Sequence, residues 1–351
     1  MRRPHLQLRM VAAVSLLATV ALGAAACGGD DSAGGGSGKV TLRLGYFPNI
    51  THGTAIVGVE KGIFAEKLGA DVELKTSTFN AGPSAIEAIF SGSLDATYIG
   101  PNPTINAHSK SQGKAIRVIS GAASGGAALV VKPEINSVQD LRGKKIASPQ
   151  LGNTQDVALR FWLKEQGLNT TKEGGGDVQV VPQENAQTVE TFQAGAIDGA
   201  WVPEPWVSRL VNAGGKVLLD ERTLWPDGKF VVTNLIVSTT FLEKHPDVVR
   251  RLAEAQVAAN DFVNNNPEEA QKVVSEHIGK ITGKPLDLEL IKQAWQNLDF
   301  TNDPIPSSLK VGLEHAVAVG LTEPVSIDGL YDLTYLNEAL RKQGQPEVPA
   351  P

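Results

Sequence analysis

The 351-residue sequence holds a single cysteine, Cys27. That excludes an internal disulfide and any CxxC motif, and it leaves one thiol to be explained. Long basic runs are missing as well, and the formal net charge is −6. A nucleic-acid binder would need a basic stripe, so none is expected as a partner. After residue 26 no apolar run is long enough to cross a bilayer as a helix. Catalytic motifs are scarce: the sequence has no HExxH, no Walker A loop and no EF-hand loop. Its six histidines are scattered, with no two four apart on a helical pattern. No metal site, no cofactor and no enzymatic activity are expected from this inventory. A secreted hydrolase is the competing class, and it would need a nucleophile–base pair that the sequence does not display.

What is present begins at the N-terminus. Arg2 and Arg3 precede an uncharged stretch, Met10 to Ala26, rich in Ala, Leu and Val. A basic start, an apolar run and small residues at its end make a signal peptide. Ala24, Ala25 and Ala26 stand immediately before Cys27, and Gly28 to Gly38 is rich in glycine, serine and aspartate without periodicity. The arrangement resembles a bacterial lipoprotein, with residues 1–26 removed, Cys27 lipidated and residues 27–38 a flexible tether. Ala24 departs from the leucine usual at that position of such a signal.

The whole chain is 42% hydrophobic and 20% charged, which is a globular composition. Its length suits two domains better than one. From Lys39, short alternating runs (Val40–Tyr46, Asp71–Thr78, Asp95–Ile99, Ala115–Ser120) alternate with helical patterns at Thr54–Lys61, Pro83–Phe90 and near Pro103. The grammar restarts after Pro133, with strands at Lys144–Ala147, Val178–Val181 and Ile197–Val202. Helices are expected there at Thr154–Gln166, Ala186–Ala194 and Trp206–Asn212. Such alternation predicts α/β architecture with mostly parallel sheets. One segment repeats: Gly92–Ile99 matches Gly195–Val202, at the same point of the two series. Ala127–Lys132 and Phe230–Ser238 bracket the second series and read as strands crossing between lobes. Lobe one is then 39–127 with 236–351, and lobe two is 128–235. From Pro246 the pattern is helical to Val319.

Three polar or glycine-rich turns open helices: Phe79–Ser84, Gly100–Thr104 and Gln150–Asp156. Helix N-termini offer free N–H groups and a partial positive charge, and so hold anions without a cationic side chain. Asn, Ser and Thr also cap helices for purely structural reasons. His52 also reads as a satisfied core histidine, and Asp156 as a carboxylate complementing a helix dipole. Asp95 and Asp198 read as residues that fix their turns.

The runs Leu44–His52, Glu60–Phe64, Gly92–Asp95, Leu141–Ala147 and Ala194–Asp198, with Glu204–Pro205–Trp206, carry a resemblance. The chain resembles the substrate-binding proteins of bacterial ABC importers for sulfonates, taurine, nitrate and thiamine precursors. The aliphatic sulfonate members are the nearest. The resemblance implies a two-lobed periplasmic-binding-protein-like clamshell and an extracytoplasmic, lipid-anchored monomer. It would deliver a small oxyanion to a membrane permease. An aliphatic sulfonate comes first, with nitrate, bicarbonate or a pyrimidine thiamine precursor as alternatives. Carried over by motif position, the ligand residues would be Asn49 and His52, then Asn80, Gly82 and Ser84, then Gly100, Asn102 and Thr104. Gly125 and Gly126 would follow at the crossing, then Asn153, Thr154, Gln155 and Asp156, and finally Glu204 and Trp206. A carboxylate at Glu204 would either pair with the ammonium of a zwitterion such as taurine, or form an ion pair with a lobe-two cation such as Arg209 or help dock the permease.

Overall fold

The structure, a computed structural model, describes residues 38–283 and 286–349. The signal-peptide, lipidation and tether assignments at residues 1–37 lie outside the described residues. Eleven strands form two sheets among the described residues. The first sheet takes β1 (Val40–Tyr46), β2 (Val72–Thr78), β3 (Ala96–Ile99), β4 (Ile116–Gly125), β10 (Val231–Ser238) and β11 (Leu298–Phe300). Their order is β11-β4-β10-β3-β1-β2. The second sheet takes β5 (Ala127–Val131), β6 (Lys145–Ser148), β7 (Gln179–Pro182), β8 (Gly199–Pro203) and β9 (Lys216–Asp220), ordered β7-β6-β8-β5-β9.

The sheets are mixed, where mostly parallel sheets were expected. In each, three strands run parallel: β2-β1-β3 in one and β7-β6-β8 in the other. Next to each trio lies an antiparallel strand, β10 beside β3 and β5 beside β8. These two strands enter from the other sheet, so they run opposite to the βαβ strands. Each stays within one sheet. The chain changes sheets at Gly125–Gly126 and along residues 221–230, rather than through the strands Ala127–Lys132 and Phe230–Ser238 themselves. Val231 already pairs with Ser124 in the first sheet.

The sequence repeat has a structural counterpart. β3 and β8 hold equivalent places, each beside the first strand of its trio. Asp95 accepts a hydrogen bond from Arg43 N–H at 2.8 Å, and Asp198 accepts one from Lys145 N–H at 2.9 Å. The return bonds, Asp95 N–H to Arg43 O and Asp198 N–H to Lys145 O, close each ring at 2.9 and 2.8 Å. Each aspartate also meets a cation, Arg43 and Lys132 respectively. Both fix a strand entry far from the carboxyl ends of the strands. A hydrogen bond of this charged kind contributes about 1.5–3 kcal/mol.

Helices cover both faces of each sheet. In the first lobe these are α1 (Gly53–Glu60), α2 (Ile63–Leu68), α3 (Gly82–Phe90) and α4 (Pro101–Lys110). In the second they are α5 (Thr154–Glu165), α6 (Asn185–Gln193) and α7 (Trp206–Asn212). The chain then adds α8 (Thr239–Lys244), α9 (Pro246–Asn265), α10 (Pro267–Thr282), α11 (Leu288–Trp295), α12 (Pro306–Ala318) and α13 (Thr334–Lys342). Leu42, Leu44 and Tyr46 pack on one face of the first sheet with Val249, Leu252 and Ala255 of α9. The other face buries Ile86, Ile89 and Ile105 with Leu309 and Leu313 of α12. The second sheet is likewise buried on both faces, by Leu159 and Leu163 of α5 and by Phe192, Val207 and Leu210 of α6 and α7. The short elements α2, α8, β9 and β11 and the C-terminal α13 carry patterns too brief or too polar to have stood out in the sequence.

Candidate ligand-binding site

The carboxyl ends of the parallel trios of both sheets lead into helices whose N-termini meet around one cavity. Its volume is about 20 Å³, and its walls include Asn49, Thr51 and His52 from the turn before α1 and Gly100 at the start of α4. The opposite lobe supplies Asn153, Thr154 and Gln155 at the start of α5 and Asn185 at the start of α6. Asn80 reaches it from the turn before α3, and Phe47, Pro203 and Val232 give it an apolar floor. In open α/β sheets ligands bind at this end of the strands.

No Asp, Glu, Lys or Arg lines the cavity. The positive potential there comes from the first turns of several helices, whose leading N–H groups have no intrahelical partner. Asn153, the N-cap of α5, makes no side-chain capping bond. Thr154 Oγ1 and Asn185 Oδ1 are buried without a hydrogen-bond partner. Buried polar groups are almost always paired, so two orphans facing one cavity mark a place for an incoming polar ligand.

His52 is a neutral donor. Its Nδ1 accepts the Phe47 N–H at 3.2 Å, which leaves the proton on Nε2. Its ring stacks on Phe47 with centroids 4.4 Å apart. Burial lowers its pKa to about 3. The histidine therefore offers an N–H without a charge.

The two lobes touch around this cavity. Trp206 Nε1–H donates to Asn49 Oδ1 at 2.8 Å, and Ile50 N–H donates to Glu204 O at 3.1 Å. Phe161 of α5 stacks on His315 of α12 with centroids 3.6 Å apart. Glycine at position 100 is needed for this approach, because a Cβ there would lie 2.3 Å from Thr154 Oγ1.

Of the residues anticipated from the sequence, Asn49, His52, Asn80, Gly100, Asn153, Thr154 and Gln155 come together at the cavity. Trp206 stands behind Asn49. Gly82 and Ser84 sit at the lobe contact instead: Gly82 against Pro103 and Asn153, and Ser84 Oγ donating to Gln150 Oε1 at 3.4 Å. Asn102 turns away, donating to Gly312 O of α12 at 3.0 Å. Thr104 Oγ1 donates back to Gly100 O within its own helix. Asp156 is fully buried below the first turn of α5, where it accepts from Ser148 Oγ and Gly152 N–H and pairs with Arg160. Gly125 and Gly126 form the crossing, with φ of 78° and 72°.

Glu204 also lies outside the cavity. Its carboxylate accepts from Ser208 N–H and Oγ at the start of α7 and from Asn297 Nδ2, at 3.1, 3.0 and 3.0 Å. It is completely buried, and burial raises its pKa. The expected pairing with a ligand ammonium has no geometric basis, since the side chain caps a helix and bridges to lobe one. Thr51 belongs to the anticipated Asn49–His52 loop, whereas Asn185, Phe47, Pro203 and Val232 were not anticipated. Only Asn185 had a usable signal, a polar turn ahead of a helix like the other three.

Fold and site define a two-lobed α/β protein of the periplasmic binding protein class. The chain matches the NMT1-like family over residues 35–278 and belongs to it. It is 31% identical over 205 residues to the taurine-binding periplasmic protein of Escherichia coli (strain K12). That match covers 58% of this chain and 61% of the relative, under two thirds of the relative's length. Among solved structures, the alkanesulfonate-binding protein SsuA from Xanthomonas axonopodis pv. citri, bound to MOPS, superposes with a TM-score of 0.70 at 17% identity. It covers 84% of this chain and 99% of that one. The periplasmic nitrate-binding protein NrtA from Synechocystis PCC 6803 gives 0.74 at 17% identity, covering 89% and 91%. At these identities the structural likeness establishes the fold.

The state of His52 sets a pH dependence. Its folded pKa is depressed, so the stability it contributes is present above the unfolded value of 6.5 and is lost as pH falls toward 3. Between pH 7 and pH 5 the loss should be about 2 kcal/mol. Urea unfolding of wild type and His52→Gln at both pH values measures it. The stability difference between the two proteins should shift against wild type by that amount at pH 5. An unchanged difference would contradict a buried neutral His52.

Proposed function

We propose that the protein is the extracytoplasmic substrate-binding component of an ABC importer, capturing a compact oxyanion and delivering it to a membrane permease. The observation that carries this reading is a small cavity between two lobes, ringed by helix N-termini and orphan polar atoms, with no charged side chain in its wall. Such a wall suits an anion with several acceptor oxygens. The relative that binds taurine and the structural neighbours that bind alkanesulfonates and nitrate support the same ligand class. The protein acts as a monomer whose lobes close over the ligand.

Within that class we place a short-chain aliphatic sulfonate first. The apolar floor of Phe47, Pro203 and Val232 suits an alkyl stub. No carboxylate is present to meet an ammonium, so plain ethanesulfonate should bind at least as well as taurine. The small volume favours nitrate or bicarbonate as the second reading. Thermal unfolding with ethanesulfonate, taurine, nitrate, bicarbonate and a hydroxymethylpyrimidine separates them. At a hundred times its dissociation constant a ligand adds about 2.7 kcal/mol to stability. Ethanesulfonate should give the largest rise in Tm. A rise with nitrate or bicarbonate and none with sulfonates moves the assignment to the second reading. A rise with the pyrimidine alone removes the oxyanion reading.

Anchoring is proposed at Cys27, through a lipid on the residue that follows Ala26. Among the described residues no helix is long and apolar enough to cross a membrane. Cys27→Ser should move the protein from the membrane fraction to the soluble fraction of the producing cells. Equal membrane retention of both forms would refute the anchor.

A further inference from the structure

Arg160 is the most deeply buried cation described, and its guanidinium is incompletely used. The side chain is 2% exposed and pairs with Asp156, itself fully buried, through Nε at 3.1 Å from each carboxylate oxygen. Nη1 donates to Thr171 O. Nη2 is buried and has no partner. A cationic donor left unpaired inside a protein is costly, and such groups are rare without a reason.

Arg160 borders a cavity of about 220 Å³, separate from the one between the helix starts. Two further cations, Lys164 and Lys172, line it together with Asn169, Thr170 and Thr171, and no carboxylate does. Besides Asp156, the acid that acts on Arg160 and Lys172 is Glu173, whose carboxylate is engaged by its own backbone and by Thr171. The remaining wall is Ala318 and Val319, at the end of α12 in the other lobe. Lys164 Nζ already spans the gap, donating to Ala318 O at 2.7 Å.

We propose that this cavity is a second anion site, taking a tetrahedral oxyanion of the phosphate type. Arg160 Nη2 supplies the buried donor, and Lys164 and Lys172 supply charge at the mouth. Its walls belong to both lobes, so occupancy favours the closed arrangement. Through Asp156, which holds Gly152 N–H at 2.9 Å, the same arginine also steadies the turn that opens α5 at the main cavity. The site does not depend on which ligand the main cavity takes.

Titration of the ¹⁵N-labelled full chain with inorganic phosphate, at ionic strength held constant with chloride, tests it. Saturable shifts are expected at residues 160–172 and 318–319. Lys172→Glu, at an exposed position, should weaken the phosphate affinity by about tenfold or more. Arg160→Lys keeps a cation for Asp156, removes the second arm and should weaken it similarly. Lys172→Glu decides alone if Arg160→Lys does not fold. Shifts confined to 49–52 and 153–155 would put phosphate in the main cavity and overturn the proposal. So would a non-saturating response, or equal affinity in wild type and Lys172→Glu. Because each site reports through its own resonances, failure here is distinct from failure of the sulfonate reading.

Discussion

Everything at the centre of this molecule depends on gathering positive potential without positive side chains. A helix start provides roughly half a charge and one or two free N–H groups, too little by itself to hold an anion out of water. Several starts aimed at one cavity from two sheets provide enough, but only while both lobes are in place. The starts of α5 and α6 lie in one lobe, and the Asn49–His52 turn and Gly100 lie in the other. The lobes must therefore approach closely, which explains Gly100 against Thr154 Oγ1 and the Trp206–Asn49 bond. His52 fits the same requirement: burial keeps it neutral, so its Nε2–H is a donor that brings no counter-ion demand of its own.

The crossing between sheets serves this closure. Gly125 and Gly126 both take left-handed φ values, and a Cβ on Gly126 would meet Leu298 Cδ2 at 2.3 Å. Glu204 bonds its backbone N–H to Gly126 O at 2.7 Å and its side chain to Asn297 of the other lobe. The carboxylate that looked like a ligand contact in the sequence thus belongs to the crossing. Its placement follows from its surroundings: β8 ends at Pro203, α7 starts at Trp206, and the start of α7 presents the N–H of Ser208 to a nearby carboxylate. A buried carboxyl group of this kind needs hydrogen bonds, and it accepts three.

The alternating elements of both halves were legible because their apolar periods change between two and 3.6 residues at each turn. The repeat of Gly92–Ile99 in Gly195–Val202 reported a real equivalence of β3 and β8. Sheet direction was not legible, since nothing local in Val231–Ser238 says that it enters from the other lobe. At the site, turns that open helices were readable by composition, which is why Asn80, Gly100 and Asn153–Gln155 were anticipated. Side-chain direction was not. Asn102, Thr104 and Asp156 sit in the right turns and point into the protein, where Gly312, Gly100 and Arg160 satisfy them. Asn185 escaped notice because its helix was expected to begin one residue later.

The most direct test of a charge-free oxyanion site is a crystal structure of the protein with ethanesulfonate. The account predicts sulfonate oxygens within hydrogen-bond distance of the N–H groups at the start of α5, of Thr154 Oγ1 and of His52 Nε2, and no lysine or arginine nitrogen in contact with them. A sulfonate held by a cationic side chain, or bound away from these helix starts, would contradict it.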